Sequence, residues 1–145
     1  IAEHDENYTI PIMVADEQGN LNLKIVRGVQ DKGLVDVAFS LDNIGVVKAS
    51  FRYEAGTVNG SLAADNADTW NRLLDHENAL RSAIKNAAGD IGVNLNFSLS
   101  GQMAQSDVYK TTKPDFEVSQ NYDNEIKTSI LYGIARGFIT EVANI

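Results

Sequence analysis

Hydrophobic and polar residues alternate in stretches from Tyr8 to Ala64, after an acidic lead-in over residues 1–7. Every second side chain of an extended strand lies on the same face, so this period predicts strands with one apolar face each. Turn residues such as Gly19 and Ala55-Gly56 separate the stretches. We therefore expect a largely antiparallel sheet covered on one side. The apolar positions of the first five predicted strands are Tyr8, Ile10, Ile12 and Val14; Leu21, Leu23 and Ile25; Val35, Val37, Phe39 and Leu41; Val47, Ala49, Phe51 and Tyr53; and Val58, Gly60, Leu62 and Ala64.

The spacing of apolar residues changes to that of a helix after Asp65-Asn66, residue types that are favourable N-caps. A gap in the helical stripe at Glu77 predicts either one long helix or two short ones with a kink between Asp75 and Asn78. Gly89 is a plausible stop, and a sixth strand is predicted after it. The helical stripe is Trp70, Leu73, Leu74, Leu80, Ile84 and Ala87, and the strand positions are Val93, Leu95, Phe97 and Leu99.

The last third of the chain has two parts. Residues 101–122 show no sustained period and are predicted to be a linker or long loop, whereas residues 123–145 are predicted to be an amphipathic helix. Gly133 and Gly137 each weaken that helix by about 1 kcal/mol relative to alanine, so it needs a docking surface. Two interpretations stay open: the helix covers the exposed part of its own sheet, or it binds a partner, in cis or between subunits.

These elements define the predicted fold class. We expect an α+β domain over residues 1–100, with its core in residues 34–100. It consists of a largely antiparallel sheet of about six strands, the helical segment 66–88 packed on one face, and the additional C-terminal helix.

Composition narrows the class of protein further. The chain has 145 residues, 43% of them hydrophobic, which is enough for the core of one domain. It contains no cysteine, so disulfides and thiol chemistry are excluded. The net charge is −8 without a visible basic stripe, which disfavours nucleic acid as a partner. The longest apolar run, Ile12-Met13-Val14-Ala15, is far too short to span a bilayer.

Candidates for catalysis or metal binding are few. His76, between Asp75 and Glu77, is a possible base or metal ligand, but neither neighbour shares its helical face and no second histidine lies three or four residues away. A solvated position on the helix fits His76 better. No nucleophile elbow and no phosphate-binding glycine loop occurs in the sequence. We therefore predict no catalytic residue, no cofactor and no metal.

The turn at Ile44-Gly45 carries the main resemblance to a known family. The segment Phe39–Val47 reads Phe-Ser-Leu-Asp-Asn-Ile-Gly-Val-Val. It resembles the pattern Leu-x-Pro-x-x-Leu-Gly-x-Val in the C-terminal domain of flagellar hook-length control proteins. Leu41 stands at the proline position and Phe39 at the first leucine position. In this turn, Gly45 is suited to a backbone conformation that other residues resist, and Ile44 is expected to fill the core where the chain reverses.

The resemblance extends over about residues 39–99, in the order strand, turn, hairpin, helix and strand. Ala55-Gly56 corresponds to the hairpin and Ala64-Asp65-Asn66 to the entry into the helix, whereas Gly89 comes one residue later than usual in the family. The spaced leucines of the family correspond to Leu73, Leu74, Leu80 and Ile84.

The family resemblance implies a non-catalytic protein-interaction domain. Its implied partner is the export-gate switch protein of the flagellar type III apparatus, whose substrate specificity the domain changes. It also implies a cytoplasmic protein that is exported through that apparatus, with the family's long measuring region preceding Ile1; we expect the chain to be a fragment or a processed product. No pattern indicates an oligomeric state. The residues expected at the contact are Leu41, Ile44, Gly45, Val46 and Val47.

Two other functional interpretations stay open at this point. One is a bacterial surface or periplasmic domain that binds an unknown ligand through its sheet face or its last helix. The other is an enzyme of unfamiliar type, which a deep pocket with converging carboxylates would favour.

Overall fold

The computed structural model describes residues 5–14, 17–28, 31–41, 44–99 and 125–143, with side chains described in 19–28, 31–40, 44–99 and 129–143. These residues form an α+β domain, which confirms the predicted class. The predicted linker 101–122 lies outside the described residues. The strands are β1 (Asp5–Val14), β2 (Glu17–Arg27), β3 (Lys32–Leu41), β4 (Gly45–Glu54), β5 (Thr57–Ala64) and β6 (Gly92–Leu99); the helices are α1 (Ala67–Asp75), α2 (Glu77–Ala88) and α3 (Glu125–Val142).

The strands of the sheet follow one another in chain order, from β1 at one edge to β6 at the other. Neighbours from β1 to β5 are antiparallel, as expected for strands joined by short turns. In contrast, β6 lies parallel to β5, with Val58 opposite Val93. A parallel neighbour requires a crossover connection, and α1 and α2 provide it. The sheet is therefore mixed.

The core lies between one face of the sheet and the three helices. The predicted apolar positions whose side chains are described supply the sheet side from β2 to β6, except Leu99, which is exposed; the side chains of β1 and of Leu41 lie outside the described residues. Leu73, Leu80 and Ile84 supply the contribution of α1 and α2. From α3, Phe138 packs edge-on against Phe51, with ring centroids 5.2 Å apart, and against Phe39 at 6.0 Å. Helix α3 contacts α2, β3 and β2, so it covers its own sheet.

The helical segment breaks at His76, inside the predicted interval Asp75–Asn78. The backbone N–H of His76 donates to the carbonyls of Arg72 and Leu73, and its Nδ1 lies 2.8 Å from the Arg72 oxygen. These contacts end α1, and α2 begins at the next residue. The break explains why Glu77 interrupts the apolar stripe: the two helices present separate apolar faces.

The second face of the sheet is buried at β2 and β3, which differs from the expected cover on one side only. Val26, Leu34 and Ala38 are buried there although they alternate with the helix-facing residues. Asp36 lies among them and is only 4% exposed. Its register neighbours are Lys24 on β2 and Ser50 on β4. Apolar residues on both faces of these strands allow burial on both sides.

Candidate functional site

The turn from β3 to β4 holds the residues expected to contact a partner. The backbone of Leu41 pairs with Gly45 across this turn. Gly45 has a φ of 80°, in the left-handed region that side chains rarely adopt. A Cβ atom at Gly45 would lie 2.6 Å from Oδ1 of Asp65. The backbone angle and the close approach both require glycine here, as the sequence predicts.

The N-terminal end of α1 fastens this turn through hydrogen bonds. The carbonyl of Ile44 accepts from Nδ2 of Asn66 at 2.8 Å and from the hydroxyl of buried Thr69 at 2.6 Å. Asn66 is also the N-cap of α1, because its Oδ1 accepts from the backbone N–H of Thr69 at 2.8 Å. One amide side chain thus caps the helix and holds the turn.

Asp65 adds a second connection between the turn and the end of β5. Its Oδ1 accepts from the backbone N–H of Val46 at 3.1 Å and from Nδ2 of Asn66 at 2.8 Å. Its backbone N–H donates to the Val46 carbonyl, also at 3.1 Å. We call Ile44, Gly45, Val46, Asp65 and Asn66 together the turn junction. Sequence reasoning identified Asp65 and Asn66 only as the entry to the helix.

The predicted contact residues differ in what they present to solvent. The side chains of Ile44 and Val47 are 2% and 0% exposed and belong to the core. Gly45 and Val46 are half-buried. The side chain of Leu41 lies outside the described residues. Among the members of this predicted set whose side chains are described, Gly45 and Val46 therefore provide the accessible surface.

A second surface lies at the β6 edge of the sheet, and sequence reasoning did not predict it. Leu95 and Phe97 of β6 are half-buried, and Leu99 is 47% exposed. On α1, which packs beside this strand, Trp70 is half-buried and Leu74 is 36% exposed. We call these five residues the edge strip. The available signal in the sequence was the alternation of apolar residues with uncharged polar ones in Gly92–Leu99.

The ionisable side chains of His76 and Asp65 make structural contacts among the described residues. Among the described residues, no group of three or more histidine, aspartate or glutamate side chains could hold a metal ion. His76 uses its Nδ1 at the helix break, and Asp65 uses its carboxylate in the turn junction. Within the same part of the chain, none of the helices is long and apolar enough to cross a membrane.

Comparisons of the chain with protein-family models, with curated proteins and with solved structures found no match.

Proposed function

We propose that the chain is a non-catalytic protein-interaction domain of the hook-length control type. Its partner in this proposal is the cytoplasmic part of the flagellar export-gate switch protein, and binding changes which substrates are exported. The turn junction supports the proposal, because its Ile44-Gly45 motif is the one that resembles the family. The side chains of Asn66 and Thr69 donate to the Ile44 carbonyl, and Asp65 accepts from the backbone N–H of Val46. The proposed location is the cytoplasm, followed by export through the type III apparatus.

The rigidity of the turn junction supports a role in recognition. A surface that is already ordered loses little conformational entropy on binding. Gly45 and Val46 lie on such a surface, because the Ile44 carbonyl and the Val46 N–H are both held by side chains from the start of α1 and the end of β5. The domain would act by binding one conformation of the switch protein more tightly than another, which shifts the population between them.

A charge placed at Val46 tests this contact directly. We expect Val46→Lys to weaken binding to the purified cytoplasmic part of the switch protein by about tenfold or more, as for a residue inside an interface. The matched control is Ser61→Lys, since Ser61 is exposed on β5 and lies outside the turn junction. Titration calorimetry measures the affinities, and urea denaturation checks that both variants fold. Equal affinities of the two variants would place the contact elsewhere.

Deletion of the gene tests the biological role. We expect hooks of abnormal length and reduced motility, measured by electron microscopy of isolated hooks and by swimming assays. A plasmid copy of the unaltered gene should restore hook length, whereas a Val46→Lys copy should not. Normal hooks and normal motility in the deletion strain would contradict the flagellar role.

A further inference from the structure

Among the described residues, the outer edge of β6 has no paired strand and lacks the usual protection of a sheet edge; we call it the open edge. Among the described strands, β5 is its only neighbour. Natural edge strands are commonly protected by charged residues or proline, which discourage pairing with another chain. Strand β1 at the opposite edge contains Asp5, Glu6 and Pro11, whereas Gly92–Leu99 contains no charged residue and no proline. The β6 edge is therefore suited to accept another strand.

Hydrogen bonds at the start of β6 define which backbone groups face the open edge. The N–H of Gly92 donates to the Gly56 carbonyl at 2.9 Å, toward β5. The carbonyl of Val93 instead accepts from Nε of Arg81 at 3.2 Å, on the other side of the strand. Successive residues of a strand direct their N–H and C=O groups to opposite edges. Leu95, Phe97 and Leu99 therefore direct theirs to the open edge.

We propose that a second copy of this chain adds its own β6 to this edge in antiparallel orientation. The two-fold axis passes beside Phe97, which lies opposite Phe97 of the other copy, while Leu95 lies opposite Leu99. This register uses the three outward-facing residues and leaves the Val93 carbonyl with Arg81. Because the axis is two-fold, both copies make the same contacts. The edge strips of the two copies then join on the helix-bearing face of one continuous sheet.

The local charge favours a second copy over a charged partner. The chain carries a net charge of −8, yet β5 and β6 contain no charged residue. Helices α1 and α2, which contact β6, have balanced charges: Asp68, Asp75 and Glu77 against Arg72, Arg81 and Lys85. Two of these acids are paired within their helix, Asp68 with Arg72 at 3.1 Å and Glu77 with Arg81 at 3.4 Å. The neutral edge strip matches an identical neutral strip, and it offers no counter-charge to a charged peptide.

The oligomeric state of the full chain tests this proposal, which goes beyond the proposed function and uses a different surface. We expect sedimentation equilibrium to give twice the chain mass of 15.8 kDa at high concentration. Leu99→Lys, at an exposed position, should raise the dimer dissociation constant by about tenfold or more, whereas the control Ser61→Lys should leave it unchanged. Added salt should strengthen the dimer, because it screens the repulsion between two negatively charged copies.

Single cysteines test the register, since the chain has no other thiol. Hydrogen-bonded antiparallel residues have Cα atoms about 5.5 Å apart, within the range of a disulfide. Mild oxidation should therefore crosslink Phe97→Cys with itself, and Leu95→Cys only when mixed with Leu99→Cys.

A chain that stays monomeric at every concentration would overturn the proposal, including the case in which the edge binds only a peptide of another protein. A dimer that is insensitive to Leu99→Lys, or a different crosslinking pattern, would also overturn it.

Discussion

Gly137 of α3 lies so close to Ala83 of α2 that a Cβ atom at Gly137 would stand 2.6 Å from the Ala83 carbonyl oxygen. A Cβ atom at Gly133, one turn earlier, would stand equally close to the Ala87 carbonyl oxygen, at 2.6 Å. The two glycines that weaken α3 as an isolated helix are therefore the residues that allow it to pack on α2. Their cost in helix propensity is offset by the burial of residues such as Phe138.

Gly137→Ala should destabilise the domain. The added methyl group forces α3 away from α2, and overpacking of this kind costs about 1–3 kcal/mol, more than the gain of about 1 kcal/mol in helix propensity. Urea denaturation measures the change. The control is Gly92→Ala, where the nearest atom to the new Cβ is Oγ1 of Thr57 at an ordinary 3.7 Å. A Gly137→Ala domain as stable as the unaltered one would contradict the close approach of the helices.

Gly45→Val should cost more stability than Gly56→Val. Both glycines have a positive φ, 80° and 86°, so each substitution introduces backbone strain of about 1–3 kcal/mol. Only at Gly45 does the new Cβ also collide with Asp65, whereas nothing lies within 4 Å at Gly56. Moving Asp65 breaks hydrogen bonds worth about 1 kcal/mol each. The difference between the two losses of unfolding free energy gives the contribution of the Asp65 contacts to stability. Equal losses would mean that Asp65 moves without cost.

Ionisation of the Tyr53 hydroxyl should lower the free energy of unfolding at alkaline pH. Burial of its ring raises the pKa of the hydroxyl above the ordinary 10.0, and the carboxylate of Asp31, which accepts its hydrogen bond at 3.2 Å, raises it further. The unfolded chain therefore loses this proton at lower pH than the folded one. The stabilising contribution is complete below pH 10.0 and is lost as the pH rises toward the pKa of the folded state.

The comparison of unaltered protein with Tyr53→Phe isolates this effect. Phenylalanine keeps the ring in the core but cannot ionise. The unfolding free energy of the variant, measured by urea denaturation, should decline less steeply with pH above the ordinary pKa of tyrosine. Parallel slopes for the two proteins would show that other groups cause the alkaline loss.

Local patterns in the sequence predicted most of the elements. The period of two placed the strands, and the interruption at Glu77 predicted one long helix or two short ones, of which the structure shows two. The Ile44-Gly45 turn was predicted because glycine there relieves a local backbone constraint. In each case the cause acts between residues that are close in the chain, so the sequence shows it directly.

Contacts between distant residues were not predictable in the same way. Asn66 and Thr69 hold the Ile44 carbonyl from more than twenty positions away, and their residue types fit an ordinary N-cap equally well. The parallel pairing of β6, which leaves it with β5 as its one neighbour among the described strands, depends on how α1 and α2 cross the sheet.

The sequence by itself determined where strands, turns and helices form, because side-chain periodicity and backbone constraints are local. Tertiary contacts made Gly133 and Gly137 contact points between helices, buried Asp36, and left Leu74 and Leu99 exposed. These properties depend on which surfaces pack together after folding. The free energy of burial depends on the area that this packing removes from water, not on residue type alone.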